Sequence, residues 1–110
     1  PVVEARPRER DFYDFEARYT PGATVFDAPA SLTPAASAEA QRLAVSACAL
    51  LGLRGPARID LMLDGAGDWW VLEANAVPGM TDTSLLPLAA EAAGMSFDEL
   101  VAAVLAAAVL

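Results

Sequence analysis

The sequence predicts an α+β fold, an antiparallel sheet with helices packed against it. Two β-prone runs, residues 57–64 and 69–75, flank Gly65-Ala66-Gly67-Asp68, which is the pattern of a hairpin. Thr33-Pro34 opens a stretch of apolar residues that stops at Gly52, so a helix is expected between them. Ser96-Phe97-Asp98-Glu99 is a capping box ahead of a second apolar stretch.

In chain order, Val2-Val3 is expected to be part of an incoming strand, and residues 6–10 are charged and expected to be exposed. Residues 12–19 place aromatics among charges with no helix or strand period. Thr20-Pro21-Gly22-Ala23 is turn chemistry, and Pro29, Thr33 and Pro34 keep the next stretch irregular. Residues 15–32 are therefore expected to form one long loop. Such loops are uncommon in compact domains and often functional, the alternative being a merely connecting segment. The helix over 34–51 presents Leu43, Val45, Ala47, Leu50 and Leu51 as its apolar set, with Cys48 as a small core residue. Thr83 or Ser84 opens a short helix over 85–93, ended by Gly94. The last helix runs to about Val109 and is apolar almost all round, so burial on more than one side is expected.

The chain has 110 residues, enough for one small domain or part of a larger protein. It starts at Pro1 with neither an initiator Met nor a signal sequence, so a piece of a longer polypeptide is expected. The net charge is -8 and the pI about 4.2, which argues against nucleic acid or anionic lipid as the main partner. All 7 cations are Arg, and Lys and His are absent. Ser/His/Asp triads, His metal sites, Schiff-base lysines and a self-contained P-loop are thereby excluded from these residues. The single Cys48 gives no disulfide framework and points to a reducing compartment. Residues 101–110 are apolar but fall short of the about 20 residues that span a bilayer. A soluble, cytoplasmic protein is the expectation.

The hairpin's register follows from its pattern. Pairing Asp64 with Trp69 puts Asp60 opposite Glu73 and Arg58 opposite Asn75. It gathers these four polar residues on one face, together with Trp69 and Val71. Ile59, Leu61 and Leu63 then share the other face with Trp70, Leu72 and Ala74. A slip by one residue would mix charge into the apolar side. The run Trp69-Trp70-Val71-Leu72 reads as a buried strand. Beyond it, Glu73 and Asn75 stand on one strand face about 6.5 Å apart, within reach of one cation. Two carboxylates and an amide suit Mg²⁺ or Mn²⁺, whose shell is completed by waters and phosphates. The alternative is a plain salt-bridge cluster in which Arg58 neutralises Asp60 and Glu73. Pro78-Gly79 breaks the strand, and the Gly79 amide with the helix N-terminus at Ser84 offers donors to an anion.

Arg58-Ile59-Asp60, Leu72-Glu73-Ala74-Asn75, Pro78-Gly79-Met80-Thr81 and Ser84-Leu85, in that order, resemble the C-terminal part of D-alanine–D-alanine ligases. Residues 12–19 resemble the substrate-covering loop of that family, and Gly94-Met95-Ser96-Phe97 with Glu99-Leu100 its final helix. The resemblance implies an ATP-grasp enzyme that joins two D-alanines through an acyl phosphate for peptidoglycan synthesis, with ATP and Mg²⁺ or Mn²⁺. It implies Asp60, Glu73 and Asn75 as metal ligands. Arg58 and the Gly79 N–H would stabilise the oxyanion of the tetrahedral intermediate. Ser84, by its hydroxyl, and Leu85, by its amide, would hold the second D-alanine. Tyr13 and Tyr19 would contact substrate and Arg18 the ATP phosphates, on a loop that closes over the site. The whole of 1–110 is then the C-terminal portion of an ATP-grasp domain, inactive alone. It comprises a substrate-covering loop over 15–32, a metal-site hairpin over 57–75 and an acceptor-site loop over 76–85. The family's N-terminal and central domains are its expected partners, and such ligases are often homodimers. Arg18 stands where the family usually has Lys, and Ala76 where it commonly has Thr. The alternatives are a ligase that takes D-lactate or D-serine as acceptor, or a degenerate, non-catalytic ATP-grasp remnant.

Overall fold

A computed structural model describes residues 1–8, 22 and 24–108. Among them the elements are β1 (Glu4–Pro7), β2 (Thr24–Asp27), α1 (Pro34–Leu50), β3 (Arg58–Leu63), β4 (Trp69–Asn75), α2 (Leu85–Ala92) and α3 (Phe97–Ala107). β1 pairs antiparallel with β2, and β3 with β4, as two separate two-stranded sheets. The α+β expectation holds, with two ribbons in place of one sheet.

The helices start and stop where their end groups can be satisfied. Thr33 caps α1, its hydroxyl accepting the Ala36 N–H at 3.2 Å, and Pro34 occupies the first turn, where no N–H is needed. At the other end Gly52 takes φ +68°. The Gly52 N–H donates to the Ala49 carbonyl at 3.2 Å and the Leu53 N–H to the Cys48 carbonyl at 2.9 Å, which is a Schellman closure. α2 ends the same way: Gly94 has φ +85°, and the Gly94 and Met95 amides donate to Glu91 and Ala90, each at 2.9 Å. α3 opens on the expected capping box. Ser96 Oγ accepts the Glu99 N–H at 3.2 Å, and the Glu99 carboxylate accepts the Ser96 N–H at 2.7 Å. The Ser96 backbone N–H, and then its hydroxyl, hold the Glu99 carboxyl below its ordinary value.

α1 packs on both strands of the hairpin, α2 packs on α3, and the end of α3 approaches the turn before β3, with Ala107 close against Gly55. The contact face of α1 is built from small residues. Ala40 is fully buried, and Leu43, Ala44, Ala47 and Cys48 are half-buried along the same stripe. Val45, Leu50 and Leu51, expected on the packed face, lie on the open side, with Leu50 at 87% exposure. An outer-face pair, Arg42 on Glu39 at 2.7 Å, completes this helix.

Four further expectations are corrected. The first strand is Glu4–Pro7 and not Val2-Val3, and the long loop over 15–32 contains β2 at Thr24–Asp27. Cross-strand pairing selects both, with Arg6 ion-paired to Asp27 and the Ala30 N–H donating to the Val2 carbonyl at 2.8 Å. Four-residue strands show no periodicity of their own. Trp70, Val71 and Leu72 are exposed rather than buried, because β4 has no second neighbour among the described strands. On α3 only Leu100 is buried and Leu105 is open, so its all-round apolarity is matched by packing on one side only. The expected helix end at Val109 lies outside the described residues. No helix among them is long and apolar enough to cross a membrane.

The α1 cap supplies a direct test. Thr33→Ala removes the acceptor of the Ala36 N–H and should lower unfolding stability by about 1 kcal/mol, read by thermal or denaturant melting.

Candidate functional site

The site starts from a turn. Asp64 Oδ1 accepts the N–H groups of Ala66 and Asp68, each at 2.9 Å, and its Oδ2 accepts the Trp70 indole N–H at 2.8 Å. Gly67 adopts φ +88°, a backbone that L side chains rarely take. The Trp70 bond foremost, then those from the Asp68, Ala66 and Gly67 amides, hold the Asp64 carboxyl below the usual carboxylate range.

Centring the turn on Asp64 takes it out of the ladder. The first pairs are Leu63↔Trp69, Met62↔Trp70 and Leu61↔Val71, where the sequence pattern suggested Asp64↔Trp69. The register then shifts by one between Leu61 and Asp60, and Leu72 is the extra residue of a bulge. From there the pairs are Asp60↔Glu73, Ile59↔Ala74 and Arg58↔Asn75, as the pattern required. Because opposed residues share a face, the bulge moves Trp69 and Val71 to the side of Ile59, Leu61 and Leu63. Trp70 joins Met62 on the polar face instead.

On that face four functional groups form a square. The Arg58 guanidinium forks onto the Asp60 carboxylate, Nε to Oδ1 at 2.8 Å and Nη2 to Oδ2 at 3.3 Å, both side chains about three-quarters buried. Across the ladder stand Asn75 and the exposed Glu73. Formal charges of one guanidinium and two carboxylates leave the square net negative. Asp60 and Glu73 are like charges directly opposed, a placement that a cation relieves. Asn75 Oδ1 accepts the Val77 N–H at 3.0 Å, and an amide oxygen has a second lone pair to offer. Among the described residues no group of three or more acidic, His or Cys side chains converges. Two carboxylates and an amide oxygen are donors of the kind used by a hard cation that takes one or two protein carboxylates and fills its shell from water and phosphate.

The Asn75–Val77 turn hands the chain to Pro78-Gly79 and then to α2. Gly79 is needed for space, not for backbone freedom: a Cβ there would sit 2.6 Å from Ser84 Oγ. Ser84 occupies the N-cap of α2, yet its hydroxyl makes no capping bond. It accepts the Thr81 N–H at 3.0 Å and lies 2.8 Å from Thr81 Oγ1. The first-turn amides of Leu85 and Leu86 have no helical acceptor and are not capped by Ser84. A neighbouring cleft of about 410 Å³ is lined by Thr81, Asp82, Leu88, Glu91 and Phe97. Its two carboxylates make it a poor place for an anion.

The expected residues thus fall into two groups. Arg58, Asp60, Glu73 and Asn75 come together on the hairpin face, while Gly79, Ser84 and Leu85 form the turn into α2. Tyr13, Arg18 and Tyr19 lie outside the described residues. Asp64, Trp70 and Thr81 carry structural duties that the sequence pattern did not single out; an Asp followed by Gly-x-Gly before a Trp was the available signal for the first two.

Residues 1–106 match the family described as D-ala D-ala ligase C-terminus. The chain is 48% identical over 90 residues to the D-alanine–D-alanine ligase of Methylococcus capsulatus, covering 82% of this chain and 29% of that protein. It is 50% identical over 91 residues to that of Alkalilimnicola ehrlichii, covering 83% and 29%. With the ligase of Idiomarina loihiensis it shares 48% identity over 106 residues, covering 96% and 34%. In structure it is similar to the Bacillus anthracis D-alanine–D-alanine ligase complexed with ATP, with a TM-score of 0.73 and 27% identity over 97% of this chain and 34% of that one. The chain thus spans about a third of the length of the relatives it matches.

The Asp64 turn predicts a titration. Trp70→Phe removes the largest hydrogen bond and should move the Asp64 pKa up toward the ordinary value, read by carboxyl NMR. A depressed folded pKa contributes stability that is complete above the unfolded value of about 3.9 and fades as pH falls through the folded one. The variant should therefore lose stability at neutral pH and differ less from the parent in strong acid.

Proposed function

Since the chain belongs to the D-ala D-ala ligase C-terminus family, we propose that it carries the metal and acceptor half of an ATP-dependent ligase that forms D-alanyl-D-alanine. The observation that carries this reading is the hairpin register, which sets Asp60 opposite Glu73 and Arg58 opposite Asn75. Asp60, Glu73 and Asn75 would hold magnesium or manganese. The ion, when bound, neutralises charge on the nucleotide phosphates.

In the proposed reaction the γ-phosphoryl group passes from ATP to a carboxylate oxygen of the first D-alanine, and ADP leaves. The amine of the second D-alanine forms the new C–N bond, and phosphate departs. Arg58, with the Gly79 N–H, would donate to the oxyanion that develops at the attacked carbon. Its fork on Asp60 fixes the guanidinium before substrate arrives, which lowers the reorganisation needed in the transition state. The Ser84 hydroxyl and Leu85 amide would receive the carboxylate of the second D-alanine at the open end of α2. Tyr13, Arg18 and Tyr19 would belong to the loop that covers substrate and excludes water. The remaining domains of the full-length protein would supply the first D-alanine site and the rest of the ATP pocket. The setting is the cytoplasm and the product a peptidoglycan precursor. Arg18 and Ala76 in place of the usual Lys and Thr favour one competing reading, a non-catalytic module. Coupled binding of Mn²⁺ and nucleotide by the full-length protein discriminates, since a degenerate site shows none.

Two substitutions in the full-length protein test the assignments. Glu73→Ala should abolish ATP-dependent dipeptide formation; unchanged turnover would sink the metal assignment. Arg58→Ala should lower kcat by about 10²–10³, the usual effect of removing one oxyanion donor, and a change confined to KM would count against that role.

A further inference from the structure

A serine at a helix N-cap ordinarily turns its oxygen back to accept the N–H of the second or third helical residue. In α2 the third residue is Pro87, which has no N–H, and Ser84 makes no capping bond. Its oxygen is held from the other side by a single residue, Thr81, through the N–H at 3.0 Å and the hydroxyl at 2.8 Å. A serine hydroxyl has one proton and two acceptor positions. When the Thr81 hydroxyl is the donor, both acceptor positions are filled and the single Ser84 proton must point away from the loop. Thr83 Oγ1, 3.4 Å from Thr81 Oγ1, extends the hydroxyl chain; either hydroxyl of each pair can donate, and an anion at the helix N-terminus selects the order in which Ser84 donates to it and Thr81 donates to Ser84. Gly79 leaves room for this hydroxyl, since a Cβ there would sit 2.6 Å from Ser84 Oγ.

We propose that Thr81 is a positioning residue for the acceptor carboxylate: it fills both acceptor positions of the Ser84 hydroxyl and so turns its proton toward the anion. The inference rests on the acceptor-site reading of Ser84 and Leu85. It adds two physical consequences. A hydroxyl that accepts two hydrogen bonds is polarised into a better donor. It is also withdrawn from capping, so the Leu85 and Leu86 amides stay open for the same carboxylate. Thr81 itself touches no substrate in this scheme.

The test uses the full-length enzyme and steady-state kinetics with D-alanine and ATP varied separately. Thr81→Val keeps the shape and the backbone N–H but removes the hydroxyl. It should raise KM for the second D-alanine about tenfold, the scale of one lost hydrogen bond, with kcat and the KM for ATP within about twofold. Thr81→Ser should restore the parental KM. Ser84→Ala should raise the same KM, and adding Thr81→Val to it should have no further effect, because the two act as one unit. Thr81→Ala replaces the valine variant if melting shows that one to be unfolded. The proposal is overturned if Thr81→Ser fails to rescue, if the valine effect persists undiminished on the Ser84→Ala background, or if the valine variant leaves acceptor KM unchanged. Should Ser84→Ala itself leave acceptor KM unchanged, the acceptor-site reading falls and the role of Thr81 with it. A rise with Ser84→Ala but none with Thr81→Val overturns the Thr81 proposal alone.

Discussion

The arrangement of Arg58, Asp60, Glu73 and Asn75 hangs on the pairing of β3 with β4, and that pairing is adjusted at two points. The Asp64 carboxylate gathers two backbone amides and an indole N–H, which shortens β3 by one residue at the turn. The bulge at Leu72 absorbs the difference, so that Asp60 meets Glu73 and Arg58 meets Asn75. A one-residue slip in a period-two element exchanges its faces, so either adjustment without the other would mix the polar and apolar sets. α1 covers the hairpin with a stripe of small side chains around Ala40, and the small side chains let helix and sheet approach closely.

The same economy of packing leaves much of the surface unfinished. The chain exposes 7704 Å², against roughly 5,800 Å² for a compact monomer of its mass. Among the described residues only Ala40 and Leu100 are buried, while Leu50, Leu105, Leu72 and Val77 stand in the open. Isolated exposed apolar residues are ordinary, but so many are unusual on so small a chain. That agrees with a chain that spans about a third of its relatives, 29% of one and 34% of another.

The proposed acceptor end is built by withholding hydrogen bonds rather than by making them. Pro87 lacks the amide that Ser84 would ordinarily cap, Thr81 engages the serine oxygen, and Gly79 leaves room for it. Helix capping elsewhere is complete: Thr33 and Ser96 both serve their first turns. The contrast within one chain separates a helix start closed for stability from one left open to an anion.

The sequence by itself determined what depends on neighbours along the chain. Thr33-Pro34, Gly52, Gly94 and the Ser96 box set the helix ends because caps and left-handed glycines act over three or four residues. Alternation in 58–63 and 73–75 was enough to bring Arg58, Asp60, Glu73 and Asn75 to one face. Tertiary structure decided the rest. β1 and β2 exist only through each other, so neither four-residue run announced itself. The Leu72 bulge was invisible to a strict alternation, since it answers a turn whose shape is set by the Trp70 indole six residues from Asp64. Which side of α1 is packed was decided by contact with the hairpin, and that favoured the stripe of Ala40, Leu43, Ala44 and Ala47 over Val45 and Leu50. Local chemistry fixed where elements begin and end, and contact between elements fixed which of their faces mattered.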